Sequence, residues 1–314
     1  MENKMGKSQS GFIHKVIVLL AFVFTVTLPI NALNAQSSNT EKLKGTLVDA
    51  AVSKLNALGT TMSEKAAGES LKHISVSVLN NGNKTGGEAT AIIKLNEGES
   101  NAVFNQISIS RLDGRNTANI GLGYRTLSDN ETWLYGANLF LDNEISSGHK
   151  RWGLGAETLS NTVSVRANYY KALTDTRIFK GISETALDGF DYTLSFKSDF
   201  TYNPEIYARG YNWSDGADFK ERGTEAGVNL TLSERLSLNI ATDDSNRTSS
   251  VTKGILTYSF PFNEQQKLES IKVNKNSMRP FLYSPVKREN RIRKKRLVLG
   301  LVAVGTWDLK NNFP

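Results

Sequence analysis

The chain has 314 residues, no cysteine and three histidines, which excludes a disulfide framework and cysteine-based metal sites and argues against a histidine-rich zinc site. Its formal charge of +7 is two local features rather than a basic face: Lys4, Lys7 and Lys15 against Glu2, and seven basic residues against Glu289 between Lys287 and Arg296. The rest is nearly neutral, so nucleic acid is not an expected partner.

Taken in chain order, residues 1–35 read as a secretory signal peptide. Three lysines precede an apolar run from Val16 to Leu28, then Pro29 and the small-residue stretch "NALNAQ" place cleavage after Ala35. The run is short for a helix across a hydrocarbon core, which needs about 20 apolar residues. Residues 36–71 read as a helical segment on the periplasmic side, with Leu47, Ala51, Leu55 and Leu58 along one stripe.

From residue 72 to residue 260 the hydrophobic period is two. Ile74, Val76 and Val78 alternate with polar neighbours, as do Ala89 to Leu95; Val103, Ile107 and Ile109 follow less cleanly. Ala118, Ile120, Leu122 and Tyr124 face away from Asn119, Gly121, Gly123 and Arg125. Further on, Trp133 to Leu141, Trp152 to Ala156, Val163 to Tyr169 and Phe190 to Phe196 each put every second residue on an oily face. The segment Glu205 to Trp213 has ambiguous parity, and three more candidates run to Phe260. Eleven segments can be delimited between turn signals such as "DGRN", "SDNE" and "SGHK", and one more from the poorly patterned stretches makes twelve, of roughly nine to ten residues each, enough to cross a bilayer when tilted.

A closed barrel accounts for this series, since an even number of antiparallel strands leaves no edge exposed. The alternative is a secreted β-sandwich, opposed by the unbroken run of hairpins, the six prolines, and aromatics near strand ends, Trp133, Trp152, Tyr169, Phe190 and Trp213, that suit membrane interfaces. Gly121, Gly123, Gly153 and Gly155 fall on the inward parity, where small residues relieve crowding or admit a plug. Gly121 and Gly123 lack the third glycine and the helix of a dinucleotide loop. The charges Arg125, Arg151, Glu157, Arg166 and Lys197 are the candidate pore-lining residues. No catalytic set is assembled, because His149 sits in a predicted turn and His73 opens the first strand. No metal site and no cofactor is expected.

The blocks "TANIGLGYR", "WLYGANLFLDNEISSGHKRWGLGAETLSNTVSVRANYYKAL", "LDGFDYTLSF" and "SMRPFLYSPVKRENRIRKKRLVL" resemble, in order from about residue 70 to about residue 298, the translocator domain of the inverse autotransporters, the intimin and invasin group. The resemblance implies an all-β fold, a twelve-stranded antiparallel transmembrane β-barrel with a short N-terminal helical segment, carrying a pore helix and extended linker within residues 261–314. In that group the barrel lies in the outer membrane of a Gram-negative-type bacterium and leads an adhesive passenger outward. The implied partners are outer-membrane lipid, the barrel-assembly machinery and periplasmic chaperones, with the surface ligand unknown. Asn263 to Asn276 matches the pore helix. Val286, Arg288, Asn290 and Ile292 match the linker pattern, from which Glu289 and Arg291 depart. After Arg296 this sequence has eighteen residues, too few for an immunoglobulin-like domain of about 100 residues. Two functions are therefore weighed: a translocator displaying a C-terminal segment, and a stand-alone porin-like or structural barrel without export. A basic segment threading the lumen needs counter-charge, for which Glu157 and Asp191 are the expected partners.

Overall fold

The computed structural model describes residues 70–81, 84–261 and 277–298. The expected signal peptide, the helical segment before the first strand and the expected pore helix from Asn263 to Asn276 lie outside these residues.

Among the described residues, fourteen strands precede residue 262: β1 Leu71–Asn81, β2 Lys84–Glu97, β3 Asn101–Leu112, β4 Arg115–Leu127, β5 Trp133–Glu144, β6 His149–Ser160, β7 Val163–Ala172, β8 Arg177–Phe179, β9 Ile182–Ala186, β10 Asp188–Lys197, β11 Glu205–Ser214, β12 Lys220–Thr231, β13 Leu236–Ser245 and β14 Val251–Pro261. Twelve of them close an antiparallel barrel in which each pairs with the next, β7 pairs with β10, and β14 returns to β1. Closure satisfies every strand edge, the condition for backbone to cross a hydrocarbon layer. β8 and β9 form a hairpin outside the wall, joined by β15, Lys294–Val298, in a separate three-stranded sheet.

The alternation reads directly as geometry in β4 to β7 and β10. Leu122, Leu139, Leu141, Leu154 and Tyr192 are exposed on the outer face, while Asn119, Asn138, Asp142, Glu157 and Asp191 are buried toward the lumen. Strands run from 10 to 14 residues in the barrel, and the eight that exceed the expected nine or ten do so because pairing continues past the apolar band into the rims.

Several expectations change. Trp213 is fully buried and faces the lumen against Tyr170, ring centroids 5.1 Å apart, rather than standing in an outer aromatic girdle. The ambiguous parity of β11 resolves with Tyr211 and Trp213 inward and Ile206 outward. His149 is the first residue of β6, paired with Glu144, not a turn residue. β8, β9 and β15 leave no trace in the sequence pattern, being three to five residues long and lacking any run of alternation.

The inward glycines meet different neighbours. A Cβ on Gly121 would lie 2.3 Å from the Phe140 ring, one on Gly123 2.3 Å from the Phe104 ring, and one on Gly155 2.5 Å from the Asn138 and Asn168 side chains. These three make room for side chains of adjacent strands, whereas a Cβ on Gly153 would come within 2.9 Å of the Arg288 guanidinium.

The face assignment carries a prediction. Leu194 is 41% exposed on the outer face, so Leu194→Arg near the membrane midplane should destabilise the barrel by about 2–4 kcal/mol. Thr257→Arg, where the side chain lines the lumen, should cost less than about 1 kcal/mol. Urea unfolding in lipid vesicles, followed by tryptophan fluorescence, measures both, and equal losses would contradict the assignment.

Candidate functional site

The site is the lumen itself, occupied by the chain's own residues 277–298. It is held at three levels.

At the rim where β1 begins and β14 ends, the segment is clasped by the turn between β4 and β5. The Met278 N–H donates to the Glu131 carbonyl at 2.7 Å, the Ser277 hydroxyl to the Glu131 carboxylate at 2.7 Å, and Arg279 Nε to the same carboxylate at 3.0 Å. Arg279 and Ser277 together hold the Glu131 carboxyl below the usual range. A single 3₁₀ turn follows over Arg279–Phe281. Met278, Leu282, Tyr283 and Val286 then pack into an apolar collar built by Phe104, Leu134, Phe140 and Leu159 on the inner wall. Within the collar, buried Arg125 donates from Nη1 to the carbonyls of Phe281, Leu282 and Ser284 at 3.1, 3.0 and 2.5 Å. Its Nε is held by Glu157 at 2.7 Å, and Glu157 also faces Arg166 at 3.6 Å.

At mid-lumen one carboxylate gathers two guanidinium groups. Asp142 of β5 accepts from Arg151 Nε at 2.8 Å, from Arg288 at 2.8 and 2.7 Å, and from Asn119 at 2.7 Å. All four side chains belong to inward positions or to the linker. Arg288 lies over the Phe140 ring at 4.3 Å and Arg151 over Tyr170 at 4.3 Å, so the excess positive charge rests on aromatic faces. Arg151 also donates to the Glu289 carbonyl at 2.6 Å, Asn119 to the Asn290 carbonyl at 2.9 Å, and Asn290 to Glu88 at 2.9 Å. The Tyr170 hydroxyl accepts from the Glu289 N–H at 2.8 Å and donates to Asp191 at 3.0 Å.

At the opposite rim, Glu184 of β9 is fully buried and takes Arg115 at 2.6 and 2.9 Å and Arg296 at 3.1 Å. Glu144 takes Lys294 and, at 2.8 Å, Arg115. β15 pairs with β9 from Lys294↔Ala186 to Val298↔Ile182, so the segment leaves the lumen as a strand.

The residues selected from the sequence take distinct places in this scheme. Arg125 and Arg151 touch linker carbonyls, Glu157 and Arg166 pair behind Arg125, and Lys197 stands over the Phe281 ring at 5.1 Å. Val286 donates its N–H to Gln106 at 2.8 Å and Ile292 is buried. The expected counter-charges are corrected: Glu157 pairs with Arg125 and Arg166, and Asp191 with Arg209 at 2.7 Å, all from the barrel wall. The basic run instead meets Asp142, Glu144, Glu184, Glu205, Asp215 and Glu221. Asp142 and Glu144 could have been found, since they continue the inward parity of Asn138 and Phe140. Glu184 could not, because its hairpin has no sequence signature. Glu289, which departs from the family's linker pattern, supplies internal counter-charge to Arg291 and Arg293, each at 3.2 Å.

Removing the mid-lumen carboxylate tests its weight. Asp142→Ala leaves two buried cations facing each other and should destabilise the folded protein by about 3–5 kcal/mol. The double variant with Arg288→Met should recover part of the loss. Thermal unfolding in detergent compares the three, and a full additive loss in the double variant would show that Asp142 and Arg288 act separately.

Known proteins share this architecture. The inverse autotransporter β-domain family matches residues 27–290. The putative attaching and effacing protein homolog of Escherichia coli (strain K12) is 41% identical over 70 residues, 22% of this chain and 23% of that protein. Invasin of Yersinia enterocolitica is 36% identical over 91 residues, 28% of this chain and 11% of its own length, and the inverse autotransporter adhesin YeeJ of E. coli (strain K12) 38% over 77 residues, 24% and 3%. These matches thus span only a minor part of each relative. A solved chain from work on the mechanism behind in-meso crystallization of membrane proteins superposes with a TM-score of 0.63 at 19% identity, covering 72% of this chain and 100% of that one, and shows the same fold. With the family model matched over residues 27–290 and the barrel closed around its own linker, this chain belongs to the inverse autotransporter β-domain family as an outer-membrane β-barrel.

Proposed function

We propose that the barrel anchors the chain in the outer membrane and holds residues 277–298 as a conduit through which the following residues reach the cell surface. The observation that carries this is continuity from rim to rim. The segment is clasped by Glu131 where β1 begins and paired with β9 where β7 and β10 are joined. An even number of strands puts the start of β1 and the end of β14 at one rim. An N-terminus delivered by a secretory leader places that rim in the periplasm and the β9–β15 pairing outside. Cleavage near Ala35, assembly by the barrel-assembly machinery and escort by periplasmic chaperones belong to this reading. Adhesion and invasion are named for the relatives, and for this chain they would reside in residues beyond Val298.

The second reading, a porin-like barrel, draws on a cavity of about 610 Å³ beside the linker, bordered by Ser75, Thr257, Tyr207, Glu225 and Lys253 among others. Most side chains that grip the linker lie on β3 to β7, with Glu205 of β11 and Glu221 of β12 adding ion pairs, and the cavity is bordered by residues of β1 and β2 as well as β11 to β14. Two measurements separate the readings. An epitope placed after Pro314 should be labelled by antibody on intact cells, and labelling only after permeabilisation would reject export. Deletion of residues 263–314 should raise single-channel conductance in planar bilayers, and an unchanged conductance would mean that the segment does not obstruct the lumen.

A further inference from the structure

We propose that the β8–β9 hairpin is a mechanical anchor: a pull on the chain beyond Val298 is resisted by β15 in shear against β9 before it reaches the contacts in the lumen. The proposal rests on the export reading only for the source of the load, a segment held outside the cell. Its geometry stands on the register. β15 enters its sheet at Lys294, opposite Ala186, and leaves it at Val298, opposite Ile182. β9 is fixed to the wall at its Ala186 end, where Leu187 leads into β10. The pulled point and the fixed point therefore lie at opposite ends of the pairing, about 13 Å apart for a strand of this length. A line of force between them runs along the strands.

Antiparallel hydrogen bonds lie across the strands, so a pull along the strands loads the whole ladder at once, whereas peeling from one end would load its bonds in turn. Sliding by one residue would put every side chain of β15 on the wrong face, and sliding by two would carry Arg296 away from Glu184. That pair is itself braced. Glu184 is fully buried, meets Arg296 at 3.1 Å and accepts from Arg115 of β4 at 2.6 and 2.9 Å. Lys294 reaches Glu144 of β5, and Lys295 reaches Asp215, in the turn after β11, at 2.8 Å. Beside them the Leu187 N–H donates to the Arg293 carbonyl at 3.0 Å. Consecutive residues of β15 are thus tied to separate parts of the wall, and a pull strains those ties together with the ladder. The lumen contacts are arranged otherwise. Side chains hold the linker at successive points, from Asp142 on Arg288 back to Glu131 on Ser277, so a pull from the far rim reaches them one after another.

Single-molecule force spectroscopy on the purified full chain in a lipid bilayer, drawn from a tag after Pro314, tests the anchor. Its result does not depend on which side of the cell the rim faces, so failure of the anchor and failure of export, which antibody labelling on intact cells decides, are told apart. The first force peak should come once the sixteen residues after Val298 are drawn out, a contour length of about 55 Å. Replacing residues 177–186 by a short glycine-serine loop should remove that peak and delay the first resistance by about 35 Å, to the contacts of Arg288. Ser183→Cys with Leu297→Cys, opposite one another in a chain without native cysteine, should raise the force of the first peak when oxidised, and reduction should restore it. All traces are compared at one loading rate, because forced rupture reads an unfolding rate. A heat-dependent gel shift confirms that each variant has a folded barrel. An unchanged first peak without the hairpin would overturn the anchor, as would an intact chain that meets no resistance before Arg288.

Discussion

A polypeptide held inside a barrel has to have its backbone satisfied as well as its charges, and in this lumen the wall side chains do both. Between the short 3₁₀ turn and β15 the described linker residues have no regular structure to pair their amides. Linker carbonyls at Phe281, Leu282, Ser284, Glu289 and Asn290 accept from Arg125, Arg151 and Asn119, and N–H groups at Val286 and Glu289 donate to Gln106 and Tyr170. Buried backbone groups without partners cost free energy comparable to a lost hydrogen bond. Long inward side chains on β3 to β7 therefore take the place that a neighbouring strand would fill in a sheet.

The inward arginines gain their positions from that demand. An arginine can give several N–H donors in a fixed fork while its charge is met elsewhere, which suits a residue that serves carbonyls and a carboxylate together. Arg125 does so with three linker carbonyls and Glu157, and Arg151 with one carbonyl and Asp142. The linker's own arginine at 288 completes Asp142 from the other side and needs the space that Gly153 leaves. A Cβ at position 153 would come within 2.9 Å of that guanidinium, so Arg288 would have to shift to accommodate it.

How much of this is legible in the sequence depends on which groups water and lipid constrain. Outward positions of β4 to β7 and β10 are selected for lipid one by one, so their alternation survives in the sequence and yields the barrel and most of its strands. Inward positions answer to a particular partner, and parity identifies them without naming that partner. Glu157 and Asp191 are thus recognisable as inward, yet each is claimed by an arginine on a nearby strand before the linker can reach it. Trp213 misleads for a related reason: an aromatic near a strand end suits the membrane interface and an apolar cluster inside the lumen equally well. β8 and β9 are too short to show a period, and what gives them form is the arrival of β15 and the Arg115–Glu184 pair, both remote in sequence.

The order of the contacts bears on how the segment comes to rest. On the export reading, the basic residues that end at the far rim pass the mid-lumen carboxylate first: Lys294 and Arg296 go by Asp142 before reaching Glu144 and Glu184. Ion pairs with Asp142 alone would hold any of them, so charge by itself does not define the stopping point. What distinguishes the final position is the coincidence of groups that only one register supplies. Ser277 and Arg279 meet Glu131 at one rim, Gly153 opens beneath Arg288 at the centre, and β15 finds the β9 edge at the other. Shifting the linker by one residue would reverse every side chain of β15 across its sheet and separate Arg296 from Glu184. The register is therefore set by backbone pairing and apolar packing at the two ends, and the charges between them make that register tolerable in a buried lumen.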